Sequence, residues 1–159
     1  MKVPILGRFL FAYNFNEKTN EEIITYHKSM GKLFIVLCII SFYDVYTSYV
    51  NETDTEFALA IISSVFFVVH SVSFYRTFYI FKSPTFNSVQ EIFFSMIIGA
   101  LFNIGRFIYE CINHFSPWLL FAFISFFIQG CNGYICFQYL KRLKNEMLNQ
   151  NLIDSNANN

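Results

Sequence analysis

Apolar residues fall along this chain in long blocks rather than in stripes or alternations. Four nearly unbroken runs cover roughly residues 33–50, 57–81, 92–113 and 117–140, with short polar joints between them. Each is about 18–25 residues long. At about 1.5 Å per residue that is enough helix to cross a hydrocarbon core of about 30 Å. The pattern predicts an all-α, polytopic membrane protein: a four-transmembrane-helix bundle over 33–140, with a short amino-terminal segment (1–32) and a basic, then Asn-rich carboxy-terminal tail (141–159). A soluble domain of this size could bury a core, but it would not carry its apolar residues in unbroken blocks.

The ends read differently from the body. Residues 3–11 are apolar but short, Arg8 interrupts them, and no small-residue cleavage site follows, so the segment does not read as a secretory signal. Pro4 and Gly7 disfavour a long helix there, and a segment lying on the membrane surface fits better. Residues 21–32 read as a short polar helix leading into the first span. The Asn-rich composition of the last ten residues predicts disorder.

Charge sets the expected orientation. Lys2, Arg8, Lys18, Lys28 and Lys32 precede the first span, Arg76 and Lys82 lie by the second joint, and Lys141, Arg142 and Lys144 follow the fourth span. The first joint, Asn51-Glu52-Thr53-Asp54-Thr55-Glu56, and the third, at 113–116, hold no Lys or Arg. Basic residues near span ends are retained on the cytoplasmic side. With four spans every basic cluster falls on that one side, which places both termini in the cytoplasm, in an endomembrane or plasma membrane setting. In the mitochondrial inner membrane, the alternative, they would face the matrix. Asn51-Glu52-Thr53 also matches the N-glycosylation triplet and falls on the opposite side, close to the membrane.

Polar residues inside the runs carry the chemistry. A charge at the bilayer centre costs about 2.5–3.5 kcal/mol on insertion scales, so it turns toward other helices or water. Asp44 and Arg106 both lie about 9–10 Å below the outer ends of their spans, counted at the helical rise. Opposite charges at one depth on different helices make a natural ion pair. Two other arrangements are open: a local pair between Arg106 and Glu110, four residues on, and a wet cavity lined by Asp44 and Arg106. Nearer the midplane, His70, Asn103, Gln129 and Asn132 form a second expected polar layer, suited to hydrogen bonding between helices or, alternatively, to solute transport. Ala60 with Ser64, and Ser95 with Gly99, have the small-x-x-x-small spacing of close helix contacts, and Gly105, Gly130 and Gly133 mark further thin places.

Other chemistry is missing. Cys38, Cys111, Cys131 and Cys136 all lie in or beside runs, with no pair in an outer joint, so no disulfide framework is expected. No phosphate-binding glycine loop, H-E-x-x-H or Gly-x-Ser-x-Gly motif occurs. His27, His70 and His114 fall at three depths and would not meet at one metal. The expectation is a non-enzyme without a cofactor. A formal net charge of zero argues against nucleic acid as a partner. The expected partners are the lipid bilayer and other membrane proteins or further copies of the chain.

The stretch Gly133-Tyr134-Ile135-Cys136-Phe137-Gln138-Tyr139-Leu140-Lys141-Arg142-Leu143-Lys144-Asn145-Glu146, a Tyr-bearing helix running into a Lys- and Leu-containing tail, resembles the fourth-span exit of small four-span endomembrane proteins of the lysosome-associated and MARVEL-like kinds. The resemblance implies cytosolic ends and a trafficking role. The expected function is that of a non-catalytic integral membrane interaction protein, either endomembrane or an accessory subunit of a larger complex. A small oligomeric transporter or channel unit using the midplane residues is the alternative.

Overall fold

The computed structural model describes residues 15–51, 54–80, 84–113 and 117–157, with no side-chain description at 51 or at 154–157. The apolar stretch at 3–11, Glu52 and Thr53 of the glycosylation triplet, Lys82 and His114 lie outside that description. The described residues form no strand. A 3-10 turn at Phe15–Glu17 precedes four helices: α1 (Asn20–Asn51), α2 (Asp54–Tyr75, continued by a π-helical stretch Arg76–Ile80), α3 (Phe86–Asn113) and α4 (Pro117–Ala157). All four are long and apolar enough to cross a membrane.

The starts of α1, α3 and α4 each have a local cause. Thr19 and Glu22 form a reciprocal capping box: the Glu22 amide donates to Thr19 Oγ1 at 3.2 Å, and the Thr19 amide donates to Glu22 Oε2 at 2.9 Å. Thr85 and Ser88 do the same for α3, at 3.3 and 3.0 Å. Pro117 opens α4, where its fixed φ suits the first helical turn and its missing N–H costs nothing.

The polar lead-in runs into the first span as one continuous helix, as expected, with no proline between the Thr19 cap and the apolar run. The expected disorder at the other end is corrected: the tail is helical through Ala157. Its Lys, Leu, Glu, Met and Gln residues are good helix formers, and a preformed α4 relieves them of nucleation.

Backbones pack most closely within two hairpins, α1–α2 and α3–α4, while α2 against α3 makes a lesser contact. Gly31 helps close the first hairpin, since a Cβ there would stand 3.3 Å from Phe74 Cβ. One end of the bundle holds the start of α1 and the exit of α4, here the tail end. The other, where α1 and α3 finish, is the far end.

Buried positions recur at alternating steps of three and four on every helix. On α1 they are Ile23, His27, Met30, Phe34, Leu37, Ser41, Asp44 and Ser48. On α2 they are Glu56, Ala60, Ser63, Phe67, His70 and Phe74, with Ser64 buried beside them, and on α3 Val89, Ile92, Met96, Gly99, Asn103, Arg106 and Glu110, with Ala100 beside them. A mean step of 3.5 is the seam of a left-handed helical bundle. The core so defined has two zones. Toward the tail end it is aromatic and aliphatic, built on Met30, Phe34, Phe74, Phe78, Ile92 and Ile135. Toward the far end it is mostly polar and small, with Ser41, Asp44, Ser48, Glu56, Ser63, Asn103, Arg106, Ala122 and Ser125 beside the rings of Phe67 and Phe121. The outward surface is aliphatic and aromatic, as at Ile39, Val65, Val72, Ile98, Leu101, Ile108 and Leu120. Polar inside and apolar outside is the distribution a lipid solvent demands.

At the tail end Arg142 on α4 ties down the residues before α1. Its Nη1 donates to the Lys18 carbonyl at 2.6 Å and to Asn20 Oδ1 at 3.2 Å, and its guanidinium lies 5.2 Å from the Phe15 ring centroid. Asn20 Nδ2 donates to Glu146 Oε1 at 3.2 Å, so the tail helix holds the same segment a turn later. Arg142→Ala should release this segment and leave the four-helix body intact. Loss of a charge-assisted bond worth about 1.5–3 kcal/mol predicts amide exchange at 15–19 faster by about tenfold or more, with little change elsewhere, measurable by hydrogen-exchange mass spectrometry.

Candidate functional site

Five residues at steps of three and four, Ser95, Gly99, Asn103, Arg106 and Glu110, make one stripe on α3, and the polar chemistry of the bundle is assembled around it. At its far end Arg106 Nη1 donates to Asp44 Oδ2 at 2.6 Å and Nη2 to Asp44 Oδ1 at 3.1 Å, a bidentate pair between α1 and α3 with both side chains fully buried. Ser48 Oγ, one turn on in α1, donates to Asp44 Oδ1 at 3.5 Å. Arg106 Nε faces Glu110 Oε1 at 3.5 Å, an ion-pair distance without hydrogen-bond geometry. The interhelical and local pairings posed as alternatives thus coexist, and one guanidinium serves two carboxylates.

The second layer holds three of the four residues expected in it. Asn103 Nδ2 donates both to the Gly99 carbonyl at 3.1 Å and to Gln129 Oε1 at 2.8 Å. Gln129 Nε2 lies 3.0 Å from His70 Nε2, and His70 Nδ1 lies 2.8 Å from Ser95 Oγ. The directions follow from one fixed point. A carbonyl only accepts, so the Asn103 atom facing Gly99 is nitrogen, and the Gln129 atom facing it is oxygen. Gln129 then turns its NH₂ to His70 Nε2, which must accept. His70 is therefore a neutral imidazole carrying its proton on Nδ1, which donates to Ser95 Oγ. The chain crosses α3, α4 and α2, and it runs one way.

Asn132 does not belong to that layer. It accepts from the Tyr26 hydroxyl at 3.1 Å and donates to the Ile128 carbonyl at 2.6 Å, joining α4 to α1 nearer the tail end. The three-residue step from Gln129 turns it through most of a revolution and onto another neighbour. Of the glycines, Gly99 and Gly133 meet neighbouring side chains, whereas a Cβ at Gly105 or Gly130 would meet nothing, so those two mark no seam within the bundle.

Partners were harder to foresee than polar residues. Ser95, Tyr26 and Arg142 are common residue types whose roles depend on lateral position. The small-x-x-x-small step from Ser95 to Gly99 was the available signal for Ser95. Glu56, which opens α2 in an acidic joint, is buried, as is His27, which stacks on Phe78 at 4.6 Å between ring centroids with no hydrogen-bond partner at either nitrogen. Among the described residues no group of three or more His, Cys, Asp or Glu side chains could hold a metal ion.

No family model, curated protein or solved structure matches this chain.

Two measurements test the layers. Removing Arg106 leaves the Asp44 and Glu110 carboxylates buried without their cation, at a cost of about 3–5 kcal/mol, and removing Asp44 leaves Arg106 only the Glu110 contact, which lacks hydrogen-bond geometry. Asp44→Asn or Arg106→Gln should each sharply reduce folded protein in detergent. The double variant should lose less than the sum of the singles, and strictly additive losses would show that the pair is not coupled. At Gly99 an added Cβ would come within 2.7 Å of Gln129 Nε2 and 2.8 Å of His70 Nε2. Those side-chain ends can retreat only by breaking the hydrogen-bond chain. Gly99→Ala should therefore destabilise by about 1–3 kcal/mol, even though alanine favours helix by about 1 kcal/mol. A thermal-unfolding comparison with Gly105→Ala, which should be neutral or stabilising, separates the two effects.

Proposed function

We propose that this chain is a non-catalytic multi-pass membrane protein that works by association, as an endomembrane four-span protein or as an accessory subunit of a larger membrane complex. The observation that carries this reading is the direction of its polar groups. Asp44, Arg106, His70, Asn103, Gln129 and Asn132 are all buried and bonded to one another or to nearby protein groups. What the bundle offers its surroundings is aliphatic and aromatic surface, suited to lipid and to other apolar helices. The one-sided distribution of Lys and Arg supports cytoplasmic ends, where the tail helix would be open to partners.

A second reading, a small oligomeric transporter unit, draws on the polar zone at the far end and on His70 at its inner edge. Native purification in mild detergent separates the two. Association predicts migration well above the 18.7 kDa chain mass together with a stoichiometric companion, unaffected by His70→Asn, whose amide still bonds to neighbouring helices. Migration as a bare chain or small homo-oligomer, with a solute flux that His70→Asn abolishes at normal abundance, would sink the association reading.

A further inference from the structure

The two polar layers do not account for every buried polar atom. Ser63 Oγ on α2, Ser125 Oγ on α4, and Asn103 Oδ1 and Arg106 Nε on α3 are buried with no hydrogen-bond partner. Their depths coincide. Gly99 marks the level at which His70 and Gln129 meet α3. Counting from it at about 1.5 Å per residue, Asn103 and Ser125 lie about 6 Å toward the far end, and Arg106 and Ser63 about 10 Å. Atoms without a hydrogen-bond partner, from three helices, thus share roughly one helical turn of the interior.

Small side chains make up part of the lining of the same turn, beside the buried ring of Phe67, which packs against Phe121 at 5.6 Å. Ala60 and Ala122 are fully buried, one step beyond Ser63 and Ser125 on their helices. Toward the tail end the interior is instead filled by stacked rings, Phe34 on Phe74 at 5.4 Å and Phe74 on Phe78 at 5.8 Å. Small walls and unpaired donors and acceptors are what internal water requires, whereas apolar cavities stay dry. Hydrocarbon outside the bundle could satisfy none of these atoms, and each would cost several kcal/mol if left dry.

We propose that the far half of the bundle holds internal water, which bridges Asn103 Oδ1, Ser63 and Ser125 to the Arg106 guanidinium and is stopped toward the tail end by the phenylalanine-filled zone. The occupant is water and not an ion, because the adjacent guanidinium already answers the nearby carboxylates. Water also explains why Asn103 can direct its only amide nitrogen to Gly99 and Gln129 while its oxygen goes unclaimed by protein.

The sign of a stability change tests this. In a dry core, Ser63→Ala or Ser125→Ala removes an unsatisfied hydroxyl and raises the melting temperature or leaves it unchanged. In a hydrated one, each should lower it by about 2–4 °C, and the double variant by less than the sum, since both act on one water cluster. Raised, unchanged or strictly additive melting temperatures overturn the proposal. Should either variant fail to fold, the wild-type chain in lipid bilayers decides by water-edited solid-state NMR. Magnetisation from water should reach the Asn103 side-chain amide much faster than the Phe34 ring, and equal build-up for the two overturns it.

Discussion

The guanidinium of Arg106 constrains everything near it, because it keeps its charge and cannot neutralise itself when buried. Its fork geometry needs a carboxylate in the same plane, and Asp44 supplies one from a different hairpin. Once that pair forms, α1 and α3 have a fixed relative depth and rotation. Apolar helices gain little hydrophobic advantage from meeting one another in lipid. For a bundle set in lipid, the contacts that choose neighbours would therefore be polar. Asp44–Arg106 joins α1 to α3, His70–Gln129 joins α2 to α4, and Tyr26–Asn132 joins α1 to α4. Each crosses between the two hairpins, whose own halves are held by close backbone packing.

That division of labour explains the two zones of the core. Phenyl rings toward the tail end fill volume and tolerate small rotations, so they pack without specifying register. The His70–Gln129–Asn103 chain does the opposite. Its direction is set by a single carbonyl, and reversing any member would bring two donors or two acceptors together. Gly99 is the joint between the two modes. Its missing side chain lets the hydrogen-bond chain lie directly on the α3 backbone, where any larger residue would push it away.

Helix number and length were legible because apolar blocks and the polar joints between them are one-dimensional signals. The depth match of Asp44 and Arg106 was legible for the same reason, since helical rise converts residue number into depth. Rotation was not. Asn132 and Gln129 lie three residues apart, nearly equal in depth but directed to different neighbours, and only packing assigns Asn132 to Tyr26. Gly105 and Gly130 look like Gly99 in sequence, yet a Cβ at either would meet nothing. Helical continuity through the tail was also obscured, because an Asn-rich composition describes the segment alone and not the long helix it extends.

The three-and-four spacing of buried positions has a further consequence. A helix in an antiparallel bundle has one inward stripe, and here much of that stripe is occupied by polar residues. The remaining circumference of each helix is left to aliphatic and aromatic side chains, which carry little directional chemistry. If the chain works by association, as proposed above, selectivity on such a surface would have to come from shape, as at Gly105 between exposed Leu101 and Ile108, or from the polar helix that α4 extends beyond the bundle. There Lys141, Lys144 and Glu146 stand beside exposed Met147, Leu148 and Leu152, and charge and apolar area occur together on an open surface. On the association reading proposed above, a bundle with its polar residues turned inward would confine directional recognition to its ends, and the exit of α4 is the end where the described chain extends furthest.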